Sequence, residues 1–249
     1  MEKLKQVFVI LATIITIFVN YLAGIGYIGG NTPQIISEKY PTFFTPAGYA
    51  FSIWALIYFG LIAFSIYQAL PKYLNKFGEI RTAYLVSCFA NCVWIFFWHH
   101  DHILLSLLTM FLLLGSLAFI NSKLIKVETP SDRLFVKAPF NIYFGWVSVA
   151  TVVNFAIALL ANGINFSEIV SIRLASGLII VATILGIIIR WKLRNFLFSV
   201  VIAWAVTAIA VKQNMQTGLT VVAAFCVIIS LVTSLTIFLD DKRNVEQLS

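Results

Sequence analysis

The sequence predicts an all-α, polytopic transmembrane bundle of about eight helices, and three observations predict it. Of 249 residues, 61% are hydrophobic and only 11% charged, with a mean hydropathy of +0.96. Water-soluble domains run about 45–50% apolar and about 25% charged. The apolar residues form unbroken stretches near the length of about 17–25 residues that spans a bilayer as a helix, whereas a transmembrane β-barrel alternates apolar and polar positions. The basic residues fall between those stretches, singly or in short groups, where they flank a membrane.

The spans follow in order. The first runs from Val7 to Ile25; its apolar stretch exceeds the roughly 7–15 residues of a signal-peptide core, so it reads as a membrane helix. The second covers Ala47–Leu70, the third Thr82–Trp98, the fourth Ile103–Ser122 and the fifth Pro139–Ala161. The sixth, Ile169–Ile189, spans only if Arg173 lies near its end and snorkels to the interface. The seventh is Asn195–Val211 and the eighth Leu219–Leu239. This division places 14 of the 17 Lys and Arg residues on one side and only Lys39, Arg173 and Lys212 on the other. The positive-inside rule then puts both termini, including a short tail, in the cytoplasm of a plasma membrane of bacterial type.

The net charge of +7 has no basic face behind it, so nucleic-acid binding is not expected. Cys88, Cys92 and Cys226 lie within apolar runs and behave as small hydrophobes. All ten Asp and Glu fall in loops or termini, which argues against an ion-driven transporter. There is no phosphate-binding glycine loop and no Ser–His–Asp arrangement, so no catalytic residue is assigned and the chain is not read as an enzyme. The run His99-His100-Asp101-His102 could ligate a metal. A tight polar turn explains it as well, and consecutive residues do not converge on one ion without strain, so neither a metal nor a cofactor is expected.

The long connection from Gly26 to Pro46, with Pro33, Pro41 and Pro46 among its turn residues and Tyr27, Tyr40, Phe43 and Phe44 suited to an interface, reads as a structured lid. Within the spans, Trp54 and Tyr58 stand at i, i+4; Asn91 and Trp94 at i, i+3; and Trp146, Ala150 and Asn154 at i, i+4, i+8, each set on one helix face. Any one stripe could be helix packing. Together they suggest an aromatic-walled pocket with two carboxamides, suited to a flat apolar ligand.

These stripes carry a resemblance to the tryptophan-rich sensory protein or translocator protein family (TspO/MBR, peripheral benzodiazepine receptor type). Pro46, Trp54 and Tyr58 keep the spacing of its second helix. Asn91-Cys92-Val93-Trp94, followed by Phe96 and Phe97, keeps the Asn-x-x-Trp of its third. Tyr143-Phe144-Gly145-Trp146-Val147, then Ala150 and Asn154, keeps every interval of its fifth. Thr45-Pro46 stands where the family has two prolines, the phenylalanine ahead of Trp54 is shifted by one, and Ile142 replaces the proline before the tyrosine, with Pro139 one turn earlier. The motifs cover roughly residues 5–160. The resemblance therefore implies a five-helix family domain over 1–161 and three additional helices over 162–249. It also implies a membrane receptor that binds, and translocates or senses, a tetrapyrrole (porphyrin) or sterol-like ligand. Trp54, Tyr58, Asn91, Trp94, Tyr143, Trp146, Ala150 and Asn154 would line the pocket under the lid. A permease not coupled to ions and a tetrapyrrole-degrading activity stay as alternatives. Expected partners are the bilayer, the hydrophobic ligand and, left open, a second copy of the chain.

Overall fold

A computed structural model describes residues 1–40, 42–126 and 129–237. Pro41, the expected end of the eighth span at Leu239, and the tail cations Lys242 and Arg243 lie outside the described residues. Helices are the only regular elements among the described residues: α1 (Glu2–Gly24), α2 (Pro33–Lys39), α3 (Ile53–Ala69, preceded by a 3-10 turn at Gly48–Ser52), α4 (Gly78–His99), α5 (Ile103–Lys123), α6 (Ala138–Ala161), α7 (Glu168–Lys192), α8 (Phe196–Lys212) and α9 (Thr217–Leu235).

Among the described residues, seven helical segments are long and apolar enough to cross a membrane, and the 17-residue α8 is a shorter apolar one. Its length sits at the lower end of what spans. The outward faces carry large apolar side chains, among them Phe18, Phe59, Phe89, Phe119, Val181 and Phe225. That is the inverse of a water-soluble surface and makes this an integral, multi-pass membrane protein. Carboxylates stay at helix ends, with Glu79 and Glu168 in first turns. Arg173 is exposed in the second turn of α7, a position from which it reaches the interface.

Local signals set the helix starts. Thr32 caps α2 by accepting from Ile35 N at 3.3 Å, with Pro33 at the first helical position, where a missing N–H costs nothing. Asn195 caps α8 through Phe198 N at 2.9 Å. Ahead of α6, residues Arg133–Lys137 form a π-helical turn. Pro139 cannot donate to the carbonyl four residues back and its ring crowds that group, so a wider turn relieves the mismatch just before it.

In lipid, helices have little hydrophobic drive to associate, and buried polar pairs and close packing do that work. Polar rungs hold helix α1. Gln6 Nε2 donates to Gln68 O at 2.7 Å, Thr13 Oγ1 pairs with Ser65 Oγ at 2.5 Å and Tyr84 Oη at 2.7 Å, and Asn20 Nδ2 donates to Asn91 Oδ1 at 2.6 Å. Helix α6 sits at the centre, packed on α3, α5 and α8. A Cβ at its Gly145 would stand 3.0 Å from Val201 Cβ of α8, so glycine permits this close approach. Helices α7, α8 and α9 pack on one another, and α8 joins them to α6 and to the 3-10 turn before α3. Asn195 Nδ2 reinforces that join by donating to Asn121 Oδ1 of α5 at 3.0 Å.

Candidate functional site

The three motif stripes meet where α3, α4 and α6 converge. The Trp54 ring stacks on Tyr58 (centroids 5.6 Å apart) and on Trp94 (6.2 Å), and Trp94 stacks on Trp98 (6.0 Å). Tyr143 and Trp146 meet Trp54 edge-on at 5.9 and 6.4 Å. These are the separations at which aromatic pairs attract beyond simple burial.

Between the rings lies a narrow slot of about 40 Å³, lined by Pro33, Ser37, Pro46, Phe51, Trp54, Trp94, Trp98, Trp146, Val149, Ala150, Val153 and Asn154. Its wall is almost wholly apolar, and its residues include four buried polar atoms: Ser37 Oγ, Trp94 Nε1, Trp146 Nε1 and Asn154 Nδ2. None of the four has a hydrogen-bond partner among the described residues. A buried polar group left unpaired costs about 1–3 kcal/mol, and native structures keep few of them. All four belong to residues that line this one slot. A second cavity of about 270 Å³ lies on the other side of Trp54 and Trp94, and Asn20, Gly24, Thr32, Gln34 and Tyr58 add to its wall. Pro33, Phe51, Trp54 and Trp94 line both spaces.

The expected site residues divide accordingly. Trp54, Trp94, Trp146, Ala150 and Asn154, with Pro33 and Pro46 from the connection, line the slot. Tyr58 lines the second cavity. Asn91 and Tyr143 line neither. Asn91 accepts from Asn20 and donates to Tyr143 Oη at 3.1 Å, so its carboxamide ties α1, α4 and α6 together. Only Asn154 keeps a free amide. Its Oδ1 accepts from Ser106 Oγ at 3.2 Å. Ser37, Phe51, Trp98, Val149 and Val153 are slot residues that the motifs do not indicate; Val149 and Val153 sit one position before Ala150 and Asn154 on the same helix, a neighbourhood the stripe could have signalled.

The connection between α1 and α3 closes the slot from above. Helix α2 presents Pro33 and Ser37 to it. Gly29, at φ +66°, brings the chain so near α4 that a Cβ would stand 2.4 Å from His99 O, which no L side chain tolerates. Trp98 Nε1 donates to Pro33 O at 3.3 Å. At the other end of α2, Lys39 pairs with Asp101, and Tyr40 Oη donates to Asp101 Oδ1 at 2.7 Å. The Asp101 bond raises the Lys39 ammonium above its usual value. Partial burial pushes the Asp101 carboxyl up, but the bonds from Lys39 and Tyr40 outweigh it and hold it below the usual carboxylate range. Burial and then the carboxylate raise Tyr40. The histidines beside Asp101 do not converge: His99 Nδ1 and His100 Nδ1 each lie 2.8 Å from a carbonyl one turn back in α4, and no metal-binding group occurs among the described residues.

The segment after α2 is held by α8. Gln213 Nε2 donates to Thr42 O at 3.4 Å, Ala47 N donates to Ala208 O at 3.0 Å, and Trp204 Nε1 donates to Ala50 O at 3.2 Å. Tyr49 and Trp204 meet edge to face at 5.3 Å. Pro46 and Phe51 of the slot wall are therefore set by a helix from beyond residue 161.

A model of a family described as TSPO-like protein matches residues 6–239. The match runs past the motif-bearing part of the chain and takes in α7, α8 and α9. No curated protein and no solved structure matches.

Proposed function

Because the chain belongs to the TSPO-like protein family, we propose that it is a membrane receptor for a flat, largely apolar ligand that carries several hydrogen-bond acceptors. The ligand enters the slot between α3, α4 and α6. The four unpartnered polar atoms on one apolar slot carry this reading. Their cost is recovered when acceptors on a bound molecule take up the indole N–H groups of Trp94 and Trp146, the Asn154 amide and the Ser37 hydroxyl. That chemistry favours a tetrapyrrole, with its acidic side chains, over a sterol, which offers one hydroxyl. The wall groups orient a ligand and do not ionise, so the reading is of binding and gated release, not turnover.

The slot of about 40 Å³ and the cavity of about 270 Å³ behind Trp54 are each below the roughly 300–1,000 Å³ of ligand pockets. Binding therefore requires α2 to lift and Trp54 to turn, joining the two spaces. Trp54 is suited to this, since it and Tyr58 are half-buried while Trp94 and Trp146 are buried. With both termini in the cytoplasm, α2 and the mouth of the slot lie on the opposite side. Helices α7–α9 act as a buttress that sets Pro46 and Phe51 through α8.

Titration of the purified protein with protoporphyrin tests the reading. It predicts saturable quenching of tryptophan fluorescence and weaker binding in Trp146→Ala. Linear, non-saturating quenching of the same slope in both proteins overturns it.

A further inference from the structure

A separate crevice of about 180 Å³ lies between the end of α6, the start of α7 and the segment Thr42–Phe44. We propose that it is a second binding site, for a hydrocarbon chain of a bilayer lipid.

Its wall is mostly apolar. Phe43, Phe44, Phe155, Leu159, Phe166 and Leu174 dominate the wall, and Thr42 and Ser171 are its only polar residues. Thr42 Oγ1 is already paired with Thr45 Oγ1 at 2.7 Å. None of the described wall residues has a buried polar atom without a partner. An apolar cavity of about 150 Å³ stays dry and takes up benzene, so this volume suits a short alkyl segment. Phe155 and Leu174, on the membrane-length helices α6 and α7, and Phe166 of the loop between them are 44–45% exposed, so the crevice opens on the outer surface of the bundle. Its wall offers water few partners. A void would forfeit the dispersion contacts of four phenylalanine rings. A lipid tail, the solvent already present, restores those contacts without changing its surroundings.

The position gives the occupant a consequence. One wall is the segment that continues to Pro46 of the slot, and its other attachments are the α8 contacts at Thr42 and Ala47. A tail lodged between that segment and α7 braces it from the lipid side.

The test uses the full chain in phosphatidylcholine nanodiscs containing a phosphatidylcholine with a diazirine midway along one acyl chain. After irradiation, adducts are mapped by peptide mass spectrometry. Adducts on residues 155–178 should saturate as the share of probe lipid rises. They should fall at least five-fold in Ala156→Phe and, separately, in Leu160→Trp, both at partly buried wall positions. Adducts on the lipid face of α9, around Phe225 and Ile228, should rise linearly in all three proteins. Linear labelling of 155–178 in the wild type, absence of adducts there, or undiminished labelling in both variants overturns the proposal. If neither variant folds, the wild-type saturation curve alone decides.

Discussion

The indole N–H of Trp204 in α8 donates to the backbone carbonyl of Ala50 at 3.2 Å, across 154 positions of chain. Ala50 lies in the 3-10 turn that leads to Phe51 and Trp54, so a helix that carries none of the three motifs fixes the wall of the slot they build.

Trp204→Phe keeps the ring against Tyr49 and removes the bond. A neutral hydrogen bond contributes about 0.5–1.5 kcal/mol, which corresponds to roughly two- to ten-fold in affinity. Protoporphyrin binding is expected to weaken by that factor. Isothermal titration measures it, and an unchanged affinity would show that α8 does not set the slot wall.

Asp101→Asn weakens the latch on α2 and keeps a residue that accepts the positive φ of 62° at this position. The expected outcome is faster ligand association and dissociation by stopped flow, with the difference from wild type shrinking at high salt because the ion pair is exposed. The pH dependence has two ends. The Asp101 carboxyl is lowered, so its contribution is present above the ordinary value of about 3.9 and is lost as pH falls through the lower folded value. The Lys39 ammonium is raised, so its contribution is present below about 10.4 and lost as pH rises through the higher folded value. Association rates are therefore expected to be flat from pH 5 to 9 (about a unit inside those limits) and to rise on the acid side. A step inside that window would contradict a gate set by the Lys39–Asp101 pair.

Asn91→Leu separates the two carboxamides that the sequence treats alike. It leaves the Tyr143 hydroxyl without its Asn91 donor and Asn20 without Asn91 Oδ1. A loss of about 1–3 kcal/mol is expected, visible as a lower melting temperature. Ligand contacts in the slot are untouched, so protoporphyrin should still raise the melting temperature of this variant by the wild-type increment.

The spans, their order and the aromatic stripes are legible in the sequence because unbroken apolar runs and helical spacing are local properties. So is the convergence of Trp54, Trp94 and Trp146, through motif spacing. Other features are not legible. Helix α2 is seven residues long, too short for a periodic pattern, although Thr32-Pro33 is a cap-and-start signal. The Trp204–Ala50, Ala47–Ala208 and Lys39–Asp101 pairings join distant segments that no local pattern links. The different fates of Asn91 and Asn154 depend on whether a partner from α1 arrives, which stripe spacing does not contain. The absence of mid-span carboxylates is readable, whereas the unpaired state of Ser37 Oγ emerges only when α2 settles on the slot.

The central claim is that the unpaired polar atoms of the slot are kept for a ligand. Thermal denaturation of Asn154→Leu with and without protoporphyrin tests it most directly. Removing a buried amide with an unpartnered Nδ2 relieves a cost in the free protein, and removing a donor weakens the complex. The account predicts a free-protein melting temperature equal to or above wild type, together with a smaller rise on adding protoporphyrin. A lower melting temperature with an undiminished rise would show that Asn154 serves packing alone, and would contradict it.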